Sequence, residues 1–426
     1  MKKICLFAVV ACAAIITLRA QSPEPKPAFA GQTDAPVPAP GQRSPALDVK
    51  VVADGMNGAW AVAFLPDGRF LVTQAAGQMR IVSADGKVSA PLAGVPGVET
   101  VAAQGLHEVV LDPQFATNRL IYFTYFAPPK GQAPRNWPIE HFYEEVWTKS
   151  LAERRTMQLG YERAARARLS DDGTRLENVD VLVEGAERRI VIARDGTLLI
   201  TGADRFRFYD SDLDGVNHDF TDNPDVRRNF TGRVLRINRD GSIPKDNPWL
   251  SRATVAAETY AHGFKDPEGA ALNPTTGELW VTDHGPQGGD EIDIVRPGKD
   301  YGWPDVSYGR QYDARQSDGR KNVLVGSGKT SRADVEEPVY YWVPSIAPSG
   351  MMFYSGDLFP EWKGNLFVGA MVDQALVRLI LKGERVVAEE RLLTERKQRI
   401  REVKQGPDGA VYALSGPQLL KITPKR

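Results

Sequence analysis

The stretch Thr282–Pro304 concentrates residue types that bind a hard cation. Gly285-Pro286 and Gly288-Gly289 force irregular backbone, so main-chain carbonyls can turn inward instead of pairing in a sheet. Asp290 and Glu291 follow with anionic oxygens, and Gly302-Trp303-Pro304 closes the stretch in another turn. Carbonyl oxygens beside carboxylates form the ligand set that calcium prefers. A second oxygen-rich loop, Asp210-Ser211-Asp212-Leu213-Asp214-Gly215, has the alternating acids and turn glycine of a calcium loop. Its twelfth position is Thr221 instead of Glu. Either Asp219 or Asp222 supplies the missing bidentate ligand, or the loop is a solvated acidic segment.

The elements that must position these loops recur along the chain. Apolar residues, a Pro/Asp/Gly turn and a β-rich run appear as AFLPDGRFLVTQ (63–74), VVLDPQFATNRLIYFTY (109–125) and IVIARDGTLLITG (191–202). The pattern continues as AALNPTTGELWVTD (270–283), FPEWKGNLFVGA (359–370) and VKQGPDGAVYAL (403–414). Alternating apolar residues between turn signals read as strands, and six such units predict an all-β, six-bladed β-propeller. Two insertions interrupt it. Residues 128–161 carry helical spacing at Ile139, Phe142, Tyr143, Val146 and Ser150, a helical insertion in the second blade. It is either a helix packed on the blade edge or a lid shaped by Trp137, His141 and Trp147. Residues 206–231 form an acidic loop insertion.

Charge is balanced, with 53 basic and 54 acidic residues among 426, which leaves no basic footprint for nucleic acid. Met1-Lys2-Lys3 and the apolar run to Leu18 read as a signal peptide cut after Ala20, so an exported, periplasmic protein is expected. Both cysteines, Cys5 and Cys12, fall inside that leader. Lipidation at Cys12 is the rival reading. No later run is long enough to span a bilayer. Residues 21–47 carry seven prolines with Ser, Gly and Ala and read as a flexible linker, with the propeller over 48–426.

The Thr282–Pro304 segment resembles the HGPxGGDE…NYGWP signature of the soluble quinoprotein (PQQ-dependent) aldose sugar dehydrogenases. Matching segments run from about Leu47 to Pro424, among them GRVLRINRDGSIPKDNP (232–248) and APSGMMFYSGDLFPEWKGNLFVGAM (347–371). The resemblance implies a six-bladed propeller with its site at the central mouth. It implies calcium held by the Gly285 and Pro286 carbonyls with Asp290, Glu291 and the Tyr301 backbone, and a quinone held through that calcium.

The chain departs from the family where the chemistry lies. Where the family has a HFGxR-type motif, this chain reads Gly185-Ala186-Glu187-Arg188-Arg189, with Gly185 in the place of the catalytic histidine. The YGxRNxQG motif reads His262-Gly263-Phe264-Lys265-Asp266-Pro267-Glu268-Gly269. Lys replaces a bidentate Arg, and two carboxylates replace neutral amides. Val372 stands for a family lysine, and the family's QxGL contact reads Ala103-Gln104-Gly105-Leu106. Arg399 and Arg401 match the family's paired arginines. The resemblance thus implies cofactor contacts at Lys265, Asp266, Gly285, Pro286, Arg399 and Arg401. The added acids, with Gly185 and Val372 in place of the family's His and Lys, predict weak PQQ binding or none.

His107, His262 and His284 lie in three segments that the resemblance places at the channel mouth. With Glu108, Lys265, Asp266 and Glu268 they form a candidate acid–base or metal-binding set; each histidine alone could equally be structural. Lys265 beside Asp266 reads as a salt-bridged pair. The leading expectation is oxidation of a sugar or polyol. Alternatives are a metal-dependent lyase, hydrolase or isomerase acting on a carbohydrate-like molecule, and an inactive binding module.

Overall fold

The computed structural model describes residues 37–101, 105–138, 160–186, 188–204, 232–252, 255–312 and 322–425. Six sheets form the blades, and neighbouring innermost strands contact one another around a closed ring. The first blade comprises Ala59–Phe64, Phe70–Gln74 and Gln78–Val82. The second comprises Leu106–Leu111, Leu120–Ala127, Tyr161–Leu169 and Leu176–Glu184. Blade three runs through Ile190–Ile192, Leu198–Gly202, Arg233–Ile237 and Thr259–His262. Blade four runs through Pro267–Leu272, Leu279–Asp283, Asp290–Val295 and Tyr340–Trp342. Pro348–Phe353, Leu366–Ala370, Ala375–Lys382 and Arg385–Leu392 build the fifth blade. The sixth joins Ile400–Gln405, Val411–Ser415 and Gln418–Pro424 to the N-terminal strand Leu47–Ala53, which closes the ring.

Turn chemistry places the hairpins. In blade three the Asp195 carboxylate accepts from the Thr197 amide at 2.9 Å and its hydroxyl at 2.7 Å, while Gly196 takes φ +84°. A Cβ there would be strained, so the Asp-Gly pair selects the turn. Second strands such as Leu366–Ala370 and Val411–Ser415 are buried throughout, which explains their continuous apolar runs.

A hydroxyl in each of the first five blades staples it to the next. Thr73 Oγ1 donates to the His107 carbonyl at 2.5 Å, Thr124 to Arg188 at 3.0 Å, and Thr201 to Pro267 at 3.1 Å. Thr282 reaches the Ser349 carbonyl at 3.3 Å, and Ser349 Oγ reaches Ile400 at 2.6 Å. The acceptors lie where the inner strands begin. Register shifts mark those starts in blades one, two, four, five and six. Bulges of this kind re-aim side chains, here into the channel.

The Pro-rich stretch does not remain a free linker as far as Leu47. Ser44 donates its amide to Glu390 at 3.0 Å and accepts from Trp362 Nε1 at 3.0 Å, so the chain packs on the fifth blade before the closing strand begins. Among the described residues the α-helix Phe115–Asn118 spans only four residues. The helical insertion expected inside 128–161 lies mostly outside the described residues, as do the acidic loop and with it Asp210, Asp212 and Asp214.

Candidate functional site

The bulged inner strands bring charged residues from distant segments into one stack inside the channel. The deeper layer is built on Arg189, which is 2% exposed. Its guanidinium bonds Glu402, lies 3.2 Å from Glu108, and stands 4.0 Å from the centre of the Trp60 ring. Lys404 adds a second cation 3.1 Å from Glu108. Burial opposes ionisation of Glu108, but Lys404 and Arg189 outweigh it and lower its pKa. Burial dominates at Glu402 and raises its pKa. The charges here are paired, as buried charges must be.

Above this layer Arg188 is fully buried. Its Nε donates to Asp266 Oδ1 at 2.9 Å, Nη2 lies 3.5 Å from Glu268, and Nη1 lies 3.4 Å from His107 Nδ1. His107 is stacked on Trp60 with ring centres 4.7 Å apart. Arg401 donates to the other Glu268 oxygen at 2.8 Å. Burial works against the Glu268 carboxylate, yet Arg188 and Arg401 together bring its pKa down to about 2.

The rim is more open. Asp266, His284 and Arg401 are half-buried there, and Arg399 is exposed with one nitrogen 3.4 Å from Met371 Sδ. The His284 amide donates to the Asp266 carbonyl at 3.0 Å. Its ring makes no hydrogen bond among the described residues, although Lys265, Asp266, Glu268 and Arg401 all act on it electrostatically. Burial and then Lys265 lower its pKa to about 4, so the imidazole is neutral at pH 7 and has acceptor capacity. Gly185 adopts φ +102°, backbone that resists a side chain. The structure therefore sets a bare glycine beside an arginine-rich turn where the resemblance places a catalytic histidine.

His107, Asp266 and Glu268 come together on Arg188, and His284 stands at the rim beside the two carboxylates. His262 goes elsewhere. It ends the outermost strand of blade three, with Nδ1 3.5 Å from Asp300 and its ring 5.7 Å from Trp249. Burial, then Arg233, Arg252 and Arg332, lower its pKa to about 3. The Lys265–Asp266 salt bridge expected from adjacency is replaced by other contacts. Asp266 accepts from Arg188, and Lys265 Nζ donates to the carbonyls of His284 at 2.6 Å and Gly285 at 3.1 Å.

The calcium set divides. Gly285 already serves Lys265. Asp290 accepts from Ser345 Oγ at 2.8 Å and from the amides of Ile346 at 2.7 Å, Ala347 at 3.1 Å and Gly285 at 2.9 Å. Burial raises Asp290 to about 7 despite these donors. Glu291 points to the opposite face of its strand, where burial and then Asp293 raise its pKa well above the usual range. The Tyr301 hydroxyl donates to the Ile294 carbonyl at 2.6 Å. No three His, Cys, Asp or Glu side chains among the described residues converge as a metal site. Calcium on the Gly285 and Pro286 carbonyls would have to share the Gly285 oxygen with the Lys265 ammonium, which donates to it at 3.1 Å.

A tricarboxylate quinone does fit the mouth in charge. The two carboxylates expected to repel it are each paired with an arginine, and Lys265, Arg399 and Arg401 remain close by as donors. Sequence reasoning missed the partners in this arrangement: Trp60, Glu402, Lys404 and the part played by Arg188. The recurring Thr or Ser in the second strand of most repeats was the available signal, since each hydroxyl marks the inner-strand start beside it.

Comparison with known proteins agrees with this architecture. A sequence model described as Glucose / Sorbosone dehydrogenase matches residues 56–420. The aldose sugar dehydrogenase YliI of Escherichia coli K12 is 34% identical over 393 residues, covering 89% of this chain and 93% of that protein. The apo crystal structure of the soluble aldose sugar dehydrogenase from Escherichia coli superposes with a TM-score of 0.73 at 32% identity, over 89% of this chain and 100% of the other. A PQQ-bound aldose sugar dehydrogenase from Streptomyces coelicolor shares the fold, with a TM-score of 0.63 at 21% identity over 89% of this chain and 99% of that one.

Proposed function

The chain belongs to the glucose/sorbosone dehydrogenase family, and from that premise we propose that it oxidises a sugar or polyol at the mouth of the propeller channel. The observation that carries the reading is the unbonded, neutral imidazole of His284 at a rim lined by Asp266, Arg401 and Arg399. Asp266 offers an acceptor for sugar hydroxyls. His284 takes the hydroxyl proton as the carbon is oxidised, the task for which Gly185 has no side chain. Glu268 holds Arg401 at 2.8 Å and keeps that guanidinium directed at the mouth. The buried layer around Arg189 and Trp60 supports this site from within the channel.

Lys265, Arg399 and Arg401 would hold the carboxylates of a quinone cofactor, which when bound supplies the hydride acceptor. The arginine pairing of Asp266 and Glu268 reduces the repulsion behind the expected weak PQQ binding, while Gly185 and Val372 still lack the family's His and Lys side chains. Export through the Met1–Ala20 leader accords with a periplasmic role on small diffusible sugars. Among the described residues no helix is long and apolar enough to cross a membrane.

The test is dye reduction by a panel of aldoses and polyols after incubation with PQQ, with and without calcium. Turnover that needs quinone supports the proposal. Turnover with no electron acceptor at all would instead favour the non-redox acid–base reading, for which Asp266, Glu268 and His284 also supply suitable groups.

A further inference from the structure

We propose that the Lys265 ammonium is the resident cation of the channel mouth, seated on the main-chain carbonyls that would otherwise receive a metal ion. The proposal deepens the reading of this mouth as the substrate and cofactor site.

The seat is built from three directions. Nζ donates to the His284 carbonyl at 2.6 Å and the Gly285 carbonyl at 3.1 Å, oxygens that lie at the start of the irregular turn after the strand Leu279–Asp283. That turn needs glycine, because a Cβ on Gly285 would lie 2.4 Å from the Gly288 and Gly289 carbonyl oxygens. The base of the lysine is pinned by Asp283, which accepts from the Lys265 amide at 2.8 Å and the Asp266 amide at 2.6 Å. The Trp303 ring lies 6.0 Å from Nζ, within range of a cation–π contact. Lys265 is only 7% exposed, so this is a built position and not a surface lysine resting on a loop.

A divalent ion on the Gly285 carbonyl would stand in contact with this ammonium. The oxygens of the nearest carboxylates are already taken by other donors, which leaves them poorly placed as direct ligands for a second cation. Asp283 serves two amides, and Asp290 serves Ser345 and the amides of Gly285, Ile346 and Ala347. Lysine suits the role because a compact ammonium can donate to several carbonyls at once, which the planar guanidinium of arginine does less well. The mouth thus carries one fixed positive charge in place of an exchangeable ion, and loading an anionic cofactor requires no metal at this point.

The experiment uses thermal melting of the full chain and crystal soaks, without activity or quinone, so a failure of the dehydrogenase reading does not alter its outcome. Wild type, Lys265→Ala and Lys265→Met are melted with n-propylammonium, which replaces the atoms that the alanine variant lacks. Tetramethylammonium, which cannot donate a hydrogen bond, serves as the control. The expected result is a rise of a few degrees for Lys265→Ala with n-propylammonium alone, and no shift for wild type or Lys265→Met. A folded Lys265→Ala that ignores the amine overturns the proposal. If that variant does not fold, calcium-soaked wild-type crystals decide. Calcium on the Gly285 oxygen overturns the proposal, and Lys265 on both carbonyls with no calcium there upholds it.

Discussion

Arg188 and Asp266, 78 positions apart in the chain, meet in the channel with Nε 2.9 Å from Oδ1. The arginine is wholly buried and the aspartate is 17% exposed, so the pair spans the step from the dry interior to the wet rim. The two residues make chemical sense only together. An acid in the mouth would repel an anionic ligand, and the buried arginine without it would lose its shorter carboxylate partner and keep only Glu268 at 3.5 Å.

Removing Arg188 alone therefore destabilises the protein. Breaking a buried pair by deleting one partner costs about 3–5 kcal/mol, because the other charge stays in low dielectric. Arg188→Met should lower the urea unfolding free energy by about that much. The double variant Arg188→Met/Asp266→Asn should recover a substantial part of the loss. If the double variant is no more stable than the single one, the two residues are not coupled as described.

The proton acceptor is tested by comparing two histidines. His284→Ala should lower kcat by about 10²–10⁴, the usual value of general-base catalysis, with KM changed much less. His262→Ala should leave kcat near wild type, since that ring faces Asp300 and Trp249. The reverse ranking would move the base to blade three.

The propeller was legible because each repeat carries its own turn and buried second strand; Asp195-Gly196 and Asp408-Gly409 announce hairpins without reference to anything distant. The site was legible as segments, not as partners. Residues 262–269 and 284–291 stand out in the sequence as segments, yet nothing in it says that Lys265 reaches the His284 carbonyl or that Asp266 meets Arg188. Those contacts depend on how the segments just before and after the strands turn into the channel, and that turning has no local signature in the sequence. His262 shows the same limit. Three positions from Lys265, it ends the outer strand of the preceding blade and faces away.

Acid should weaken the fold through Glu268. Its folded pKa is about 2 against an ordinary 4.5, so between those values the unfolded chain binds more protons than the folded one. The stabilisation is complete above pH 4.5 and is lost as pH falls toward 2. Two and a half units correspond to a contribution on the order of 3 kcal/mol. The stability gap between wild type and Glu268→Gln should narrow from pH 6 to pH 3. Parallel pH–stability curves for the two proteins would remove Glu268 from the account.

The N-terminal strap should matter to ring closure beyond the strand it leads into. Arg378 is 1% exposed and donates to the Gln42 carbonyl at 2.8 Å, Ser44 Oγ at 3.2 Å, Glu390 at 2.9 Å, Asn365 at 2.7 Å and the Glu361 carbonyl at 2.8 Å. Two of those five acceptors belong to the strap. Deleting the chain through Ala46 spares the closing strand Leu47–Ala53 but takes both away, and it also strips Trp362 Nε1 of Ser44. Hydrogen bonds to charged groups contribute about 1.5–3 kcal/mol each, and water entering the vacated groove restores part of that. The truncated protein should lose about 2–4 kcal/mol in urea unfolding while keeping its propeller circular-dichroism spectrum. Arg378→Met in the full-length chain should remove the same contribution, so adding the truncation to it should cost little more. If the truncated protein is as stable as the full chain, the strap is only an extension of the linker, and closure rests on the Leu47–Ala53 strand alone.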